Sequence, residues 1–217
     1  MKRAVQQWWV GLIFCLAACG APTATPTPQV LNVHATTAAQ PWLTKVYTCA
    51  ETQTLVIRLA PPETADLRLR LGEPANLTGP AFQIGSENLL VVASPGTGLA
   101  ALSADQIREI FSRPQGEQAL EIWVYSPGED LQQVFAREIL RGTPVSSLAR
   151  LATSPQNMAD HLTHSPAAMG FLPETAKPTG LQEIYRLPKI PVLALTQSEP
   201  QGNLKNLLAC LQEKTAP

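Results

Sequence analysis

The sequence predicts an α/β protein in which short apolar strands alternate with amphipathic helices. Residues 122–125 (IWVY) form a run of aromatic and β-branched side chains, which is typical of a strand. Residues 87–93 (ENLLVVA) are almost continuously apolar, as in a strand buried on both faces. Residues 103–106 (SADQ) form a capping box in front of a helical apolar pattern. This alternation predicts a mainly parallel sheet with right-handed crossovers.

The strand and helix within residues 121–141 are the most clearly marked unit of the chain. Ser126 fits the N-cap, Pro127 fits the first helical position, and Glu129 completes a capping box. Gly142 follows the last apolar position and predicts the end of the helix. Open α/β sheets bind ligands where a helix begins at the carboxyl end of a strand, so this turn is a predicted ligand site.

The other predicted elements continue the alternation. Further strands are predicted at residues 30–35, 54–59, 65–71, 168–172 and 190–195. Thr36 or Thr37 is predicted to cap a first helix that has Pro41 in its first turn. Two more helices are predicted at residues 155–163 and 203–212.

The N-terminus is predicted to be a targeting segment outside the fold. Lys2 and Arg3 precede an apolar stretch that is too short for a membrane span. This stretch ends in Leu-Ala-Ala-Cys-Gly at residues 16–20, which resembles the lipobox of bacterial lipoproteins. The resemblance implies a signal peptide at residues 1–18, a lipid on Cys19 and an extracytoplasmic protein anchored to the cell membrane. The alternative is an ordinary signal peptide with an incidental cysteine.

Composition limits what the mature chain can do. Residues 19–29 form a Pro/Thr-rich tether, and the chain from Cys19 has 14 basic and 17 acidic residues, a net charge of −3. No basic stripe indicates a nucleic-acid partner. No catalytic motif is found, so we expect no enzyme activity and no cofactor. We interpret Asp160, His161 and His164 as a solvated helix face, and we predict no metal site.

Two cysteines remain for the folded part of the chain. Cys15 belongs to the signal peptide and Cys19 is the predicted anchor, which leaves Cys49 and Cys210. Two thiols in an oxidising compartment tend to pair, so we predict a disulfide between the start and the end of the fold. Two buried free thiols are the alternative, because the sequence does not fix the distance between them.

Several short motifs follow one another between residues 30 and 212. They are TTAAQP at 36–41, ADL at 65–67, ENLLVV at 87–92, LSADQIREIF at 102–111 and PAAMGFL at 166–172, before a closing strand and helix at 191–211. In this order the motifs resemble the phosphate-type solute-binding proteins of ABC transporters, and the match at 102–111 is the closest.

The resemblance implies a type II periplasmic-binding-protein-like fold, with two α/β lobes joined by a two-strand hinge. Lobe 1 would comprise residues 30–92 and 177–217, and lobe 2 would comprise residues 93–176. It also implies a small-molecule or anion ligand in the cleft, an ABC permease as partner and a monomeric receptor that closes about its hinge. The chain is shorter than typical members before residue 65 and lacks their second Gly/Ser-rich phosphate loop.

The resemblance also nominates ligand-binding residues, and one of its motifs is changed. Candidate ligand-binding residues are Thr36, Thr37, Asp66, Tyr125, Ser126, Gly128 and Glu129. In a gapless alignment Tyr125 takes the position of the family's arginine, and Glu129 and Leu131 take those of a serine and a threonine. The guanidinium fork that would bind phosphate is therefore missing. Glu129 and Asp130 would instead repel an oxyanion, by about 4 kcal/mol for each contact at ~4 Å.

These observations lead to two functional hypotheses. The first is an extracytoplasmic solute-binding lipoprotein whose phosphate site is degraded. The second is a binding-protein-like domain that acts as an interaction or sensory module without a small-molecule ligand.

Overall fold

The computed structural model describes residues 28–113 and 120–213, which form ten strands and five α-helices. The strands are β1 (Gln29–Ala35), β2 (Leu55–Leu59), β3 (Leu67–Leu71), β4 (Ala81–Glu87), β5 (Leu89–Ala93), β6 (Glu121–Tyr125), β7 (Arg150–Ala152), β8 (Ala168–Pro173), β9 (Gln182–Arg186) and β10 (Ile190–Leu195). The helices are α1 (Leu43–Glu51), α2 (Ala104–Ser112), α3 (Asp130–Phe135), α4 (Pro155–His164) and α5 (Gly202–Glu213), and a π-helix (Ala136–Leu140) continues α3. The predicted signal peptide, Cys19 and most of the tether lie outside the described residues.

The strands form two five-stranded sheets, in the orders β2-β1-β3-β10-β4 and β7-β6-β8-β5-β9. In each sheet four strands run in one direction, and one, β10 or β5, opposes its neighbours. The chain passes from the first sheet to the second at Asn88 and returns between Arg186 and Ile190. The first sheet with α1 and α5 forms lobe 1, and the second sheet with α2, α3 and α4 forms lobe 2.

The change of sheet at Asn88 falls inside a stretch that the sequence indicated as one strand. Residues 87–93 were predicted as a single strand, but β4 ends at Glu87 and β5 belongs wholly to the second sheet. The observed sheets therefore change at Asn88 and after β9, whereas the predicted lobe limits lie at 92/93 and 176/177. β4, β7 and β9 were not predicted at all, because these strands alternate weakly or are very short.

Exposed polar groups surround the point where the chain changes sheets. The Asn88 side chain donates to Glu174 (2.6 Å), and the Glu174 amide donates back to the Asn88 carbonyl (2.9 Å). Glu174 also forms an ion pair with Arg186 at 2.8 Å. Hydrogen bonds from Arg186 and Asn88 lower the pKa of Glu174 to about 2, so its carboxylate stays charged far into the acid range.

Buried side chains fill both lobes and form one continuous core. In lobe 1, α1 and α5 lie against each other, and the Trp42 ring is so close to Gly85 that a Cβ there would lie 2.1 Å from it. In lobe 2 the ring of Phe171 stacks on that of Phe135 with centroids 4.1 Å apart. Both contacts show the close packing that is typical of protein interiors.

Helix starts follow the sequence signals in some places and not in others. Ser103 and Gln106 form the predicted capping box of α2. Ser126 does not cap α3: residues 126–129 form a turn, Glu129 is the N-cap residue, and the helix begins at Asp130. Thr36 and Thr37 also cap no helix, since a 3-10 turn begins at Gln40 with Ala39 before it. The hydroxyls of Thr36 and Thr37 are instead used in contacts with lobe 2.

The predicted disulfide between Cys49 and Cys210 is confirmed. It joins α1 to α5, with the two Cα atoms 6.0 Å apart and 161 residues apart in sequence. The side chain of Asn203 also donates to that of Gln29 at 2.8 Å. The first and last elements of the fold are therefore linked within lobe 1. None of the described helices is long and apolar enough to span a bilayer.

We expect the disulfide to contribute about 2–4 kcal/mol to the free energy of unfolding, because it closes a long loop in the unfolded chain. Urea unfolding of the oxidised protein and of the Cys210→Ser variant will measure this difference. As a control, a reducing agent should lower the midpoint of the parent protein and leave that of the variant unchanged. Equal midpoints for the two oxidised proteins would contradict the expected stabilisation.

Candidate functional site

A buried carboxylate joins the two lobes where their parallel strands end. Asp130 is 1% exposed although it begins α3 at the lobe junction. Its Oδ2 accepts hydrogen bonds from the Thr36 hydroxyl (2.6 Å) and the Leu71 amide (2.8 Å), which belong to lobe 1. Its Oδ1 accepts from the Leu131 amide (2.9 Å) of its own lobe. Three donors surround this carboxylate, as burial of a charge requires.

Glu129 makes a second bridge beside Asp130. One of its carboxylate oxygens accepts a hydrogen bond from the Thr37 hydroxyl at 3.0 Å. Two consecutive acidic residues of lobe 2 thus bind two consecutive threonines of lobe 1. We define Thr36, Thr37, Leu71, Glu129 and Asp130 as the inter-lobe latch.

A cation lies next to the latch. Arg70 donates from Nη2 to the Gln133 side chain of α3 (2.8 Å) and from Nε to the Gly72 carbonyl (3.0 Å). Burial lowers the pKa of Arg70, and the negative charge of Asp130 opposes that shift. The guanidinium is therefore a countercharge for the latch, and its hydrogen bond to Gln133 adds another link between the lobes.

Four of the seven nominated residues stand apart from the latch contacts. Tyr125 is buried, and its hydroxyl donates to the Phe171 carbonyl within lobe 2 (3.1 Å). Burial raises the pKa of Tyr125, and Asp130 and Glu129 raise it further. Ser126 and Gly128 lie on the exposed turn before α3. Asp66 lies before β3, at the end of that strand opposite Leu71, where it accepts from the Asn32 amide (2.8 Å).

The structure brings together three nominated residues, Thr36, Thr37 and Glu129, and adds others that were not nominated. Asp130 was predicted only to repel an oxyanion, and Arg70 and the Leu71 amide had no role in the predicted site. The carboxylate at residue 130 was visible in the sequence, but its partners lie 59 and 94 residues away. The alternation of β3 places the Arg70 side chain on the face away from the core. This alternation is the one sequence signal that could have indicated a role for Arg70 outside the core.

A cavity of about 400 Å³ lies between the lobes beside the latch. Lobe 1 contributes four residues that precede α1, and lobe 2 contributes the start of α4, the last residue of β8 and the turn that follows it. These residues are Thr37, Ala38, Gln40, Pro41, Ser154, Pro155, Gln156, Pro173, Thr175 and Ala176. Its polar lining residues are Thr37, Gln40, Ser154, Gln156 and Thr175. Asp130, Leu71 and Arg70 are absent from this lining, so the cavity adjoins the latch at Thr37 and does not include the carboxylate of Asp130. Within residues 28–113 and 120–213 there is no cluster of three potential metal ligands.

Comparison with solved structures identifies the architecture. The chain is similar to a phosphate ABC transporter substrate-binding protein with bound phosphate from Clostridium perfringens (TM-score 0.69, 10% identity, 84% of this chain and 93% of that one). It is also similar to an ABC-type phosphate transport receptor from Vibrio cholerae (TM-score 0.66, 14% identity, 85% and 93%). The fold is that of the type II periplasmic binding proteins.

The type II periplasmic-binding-protein-like fold also occurs in regulatory domains that resemble this chain. One is the regulatory domain of an OxyR2 variant from Vibrio vulnificus (TM-score 0.63, 12% identity, 89% of this chain and 99% of that one). No protein-family profile matches the sequence. No curated protein matches it significantly either. At these identities the similarity establishes the fold, as predicted from the sequence, and leaves ligand and partner to be inferred from the residues.

Close contact between the lobes at Gly72 can be tested by a single methyl group. Gly72 has φ +69°, and a Cβ there would lie 2.5 Å from a Val134 methyl of α3. We expect Gly72→Ala to lower the free energy of unfolding by roughly 2–4 kcal/mol, from left-handed backbone strain together with overpacking. Urea unfolding measures the loss.

Gly98 offers a matched control for the backbone contribution. Its φ is +62°, but a Cβ there would meet nothing within 4 Å. Gly98→Ala should therefore cost only about 1–2 kcal/mol, which is the backbone strain alone. If both variants lost the same free energy, the contact with Val134 would not be what limits the approach of the lobes.

Proposed function

We propose that this chain is an extracytoplasmic lipoprotein of the binding-protein type that does not capture free phosphate, because its own Asp130 fills the oxyanion position. The observation that supports this is the set of donors around the Asp130 carboxylate. A hydroxyl and a backbone amide from lobe 1 and an amide from lobe 2 all point to it. Hydroxyls and backbone amides are the groups with which proteins hold oxyanions.

Capture of an anion from solution would need donors that the latch already uses. The Thr36 hydroxyl and the Leu71 amide donate to Asp130, and Nη2 of Arg70 donates to Gln133. An anion that entered beside Asp130 would also face like-charge repulsion of about 4 kcal/mol at ~4 Å. The internal carboxylate therefore disfavours a free oxyanion in two ways, by using its donors and by repelling its charge.

In the receptor form of this proposal, the lipoprotein binds a solute other than a free oxyanion and delivers it to an ABC permease. The cavity beside the latch supports a remaining binding role, because both lobes contribute to its lining. The resemblance to solute-binding proteins supports a permease partner, and the predicted signal peptide supports an extracytoplasmic location. Both are part of the proposal.

A second candidate function is an interaction or sensory module without a small-molecule ligand. The specific observation in its favour is that the lobes are already bridged by groups of the chain itself. Thr36 and Thr37 donate to carboxylates of lobe 2, and Arg70 donates to Gln133. In a two-state hinge such contacts stabilise the closed form in the absence of any ligand.

Calorimetric titration with phosphate and sulfate tests the central proposal. The parent protein should show no saturable binding at anion concentrations up to about 1 mM. This range detects any binding free energy more favourable than about −4 kcal/mol. The Asp130→Ala variant should gain measurable binding, since it leaves the Thr36 and Leu71 donors without an acceptor beside Arg70.

Asp130→Asn is the matched control for this titration. Its amide oxygen can still accept from Thr36 and Leu71, so the position stays filled although the charge is gone. We expect no phosphate binding by this variant. Micromolar phosphate binding by the parent protein would overturn the proposal, whatever the variants do.

The membrane anchor is tested by replacing its predicted attachment residue. Cys19→Ser should move the protein from the membrane fraction to the soluble fraction of the producing cells, because the thiol that accepts the lipid is lost. Cys15→Ser, four residues earlier in the leader, is the control and should leave the protein in the membrane fraction. Retention of the Cys19→Ser protein in the membrane would contradict a lipid anchor at this position.

A further inference from the structure

We propose that the cavity beside the latch binds a small, uncharged, polyhydroxylated solute. This inference rests on the proposed binding function and specifies its ligand class. The cavity has a volume of about 400 Å³ and is shared by the two lobes. Small-molecule sites commonly have volumes of ~300–1,000 Å³, so a monosaccharide-sized molecule fits this space.

None of the described residues that line the cavity has an ionisable side chain. It combines hydroxyl and amide groups with alanines and prolines. A bound ion would lose its hydration without gaining a countercharge from the lining, which is costly. Behind two lining threonines lie carboxylates: Glu129 behind Thr37 and Glu87 behind Thr175, each with a 3.0 Å hydrogen bond. These negative charges add repulsion against an anion. Because Glu129 and Glu87 do not themselves line the cavity, they offer a bound cation no direct contact.

Existing hydrogen bonds determine which groups the cavity can offer to a ligand. The hydroxyls of Thr37 and Thr175 donate to those carboxylates, so their oxygens retain lone pairs that can accept from a ligand. Ser154 Oγ accepts a hydrogen bond from the backbone amide of Asn157 (3.1 Å), so the Ser154 hydroxyl proton can be donated to a ligand. Such a mixture of acceptors and donors complements hydroxyl groups, which both donate and accept.

Gln40 and Gln156 extend the same chemistry from opposite lobes. Both side chains are exposed at the cavity, and each amide offers donors and an acceptor. Neither residue belongs to the latch, so either can be changed without removing a contact that holds the lobes together. They are therefore suitable positions for testing the inference.

The test is isothermal titration of the purified full chain with glucose, ribose, glycerol and myo-inositol. Gluconate and glucosamine serve as charged counterparts of glucose. At least one neutral compound should bind with a Kd of about 10 mM or lower and more tightly than either charged compound. Gln40→Ala and Gln156→Ala should each weaken that binding about threefold to tenfold, the usual effect of losing one hydrogen bond.

Gln201→Ala is the control variant, because Gln201 is exposed outside the cavity and should leave the affinity unchanged. Three results would overturn the inference: no binding of any neutral compound, tighter binding of a charged counterpart, or full affinity in the Gln40→Ala/Gln156→Ala double variant. Phosphate binding by the parent protein would instead contradict the proposed function, so the two failures are distinguishable.

Discussion

A charge buried at a lobe junction must have hydrogen-bond partners, and in this chain that requirement joins the two lobes. Asp130 belongs to lobe 2, yet two of its three donors belong to lobe 1. If the lobes separated, the Thr36 hydroxyl and the Leu71 amide would lose their acceptor and would have to hydrogen-bond to water. The Asp130 carboxylate would also lose Arg70 as its countercharge. The close approach of Gly72 to Val134 and the hydrogen bond between Thr37 and Glu129 occur at the same junction.

Local signals in the sequence predicted the elements that depend on local interactions. The Ser103 capping box and the apolar run of β6 both occur in the structure. The pairing of Cys49 with Cys210 also occurs, but it was predicted from the number of remaining cysteines and not from a local pattern. The predicted start of α3, with Ser126 as the N-cap, was wrong for a physical reason. Ser126 could have capped a helix, but Glu129 and Asp130 form contacts with lobe 1 that no local pattern encodes. Tertiary contacts therefore decided where this helix begins.

The candidate site was predictable only in part. Thr36, Thr37 and Glu129 were nominated from a resemblance and do meet at the lobe junction. The residue that dominates the junction, Asp130, was noticed only as one more negative charge that would repel a ligand. Its role depends on Leu71 and Thr36, which fold against it from distant parts of the chain. The sequence therefore indicated that the site is unsuited to an oxyanion, but it did not indicate that the Asp130 carboxylate fills the position.

The disulfide has a mechanical meaning that its contribution to stability does not describe. It joins α1 to α5, so the elements nearest to both ends of the described chain belong to lobe 1. The chain leaves lobe 1 for lobe 2 at Asn88 and returns to lobe 1 after Arg186. Lobe 2 therefore contains neither end of the described chain. A force applied at either end of the described residues therefore acts first on lobe 1. The shortest covalent path between these two ends crosses the disulfide and runs through residues 29–49, which include Thr36 and Thr37 of the latch. This path does not enter lobe 2.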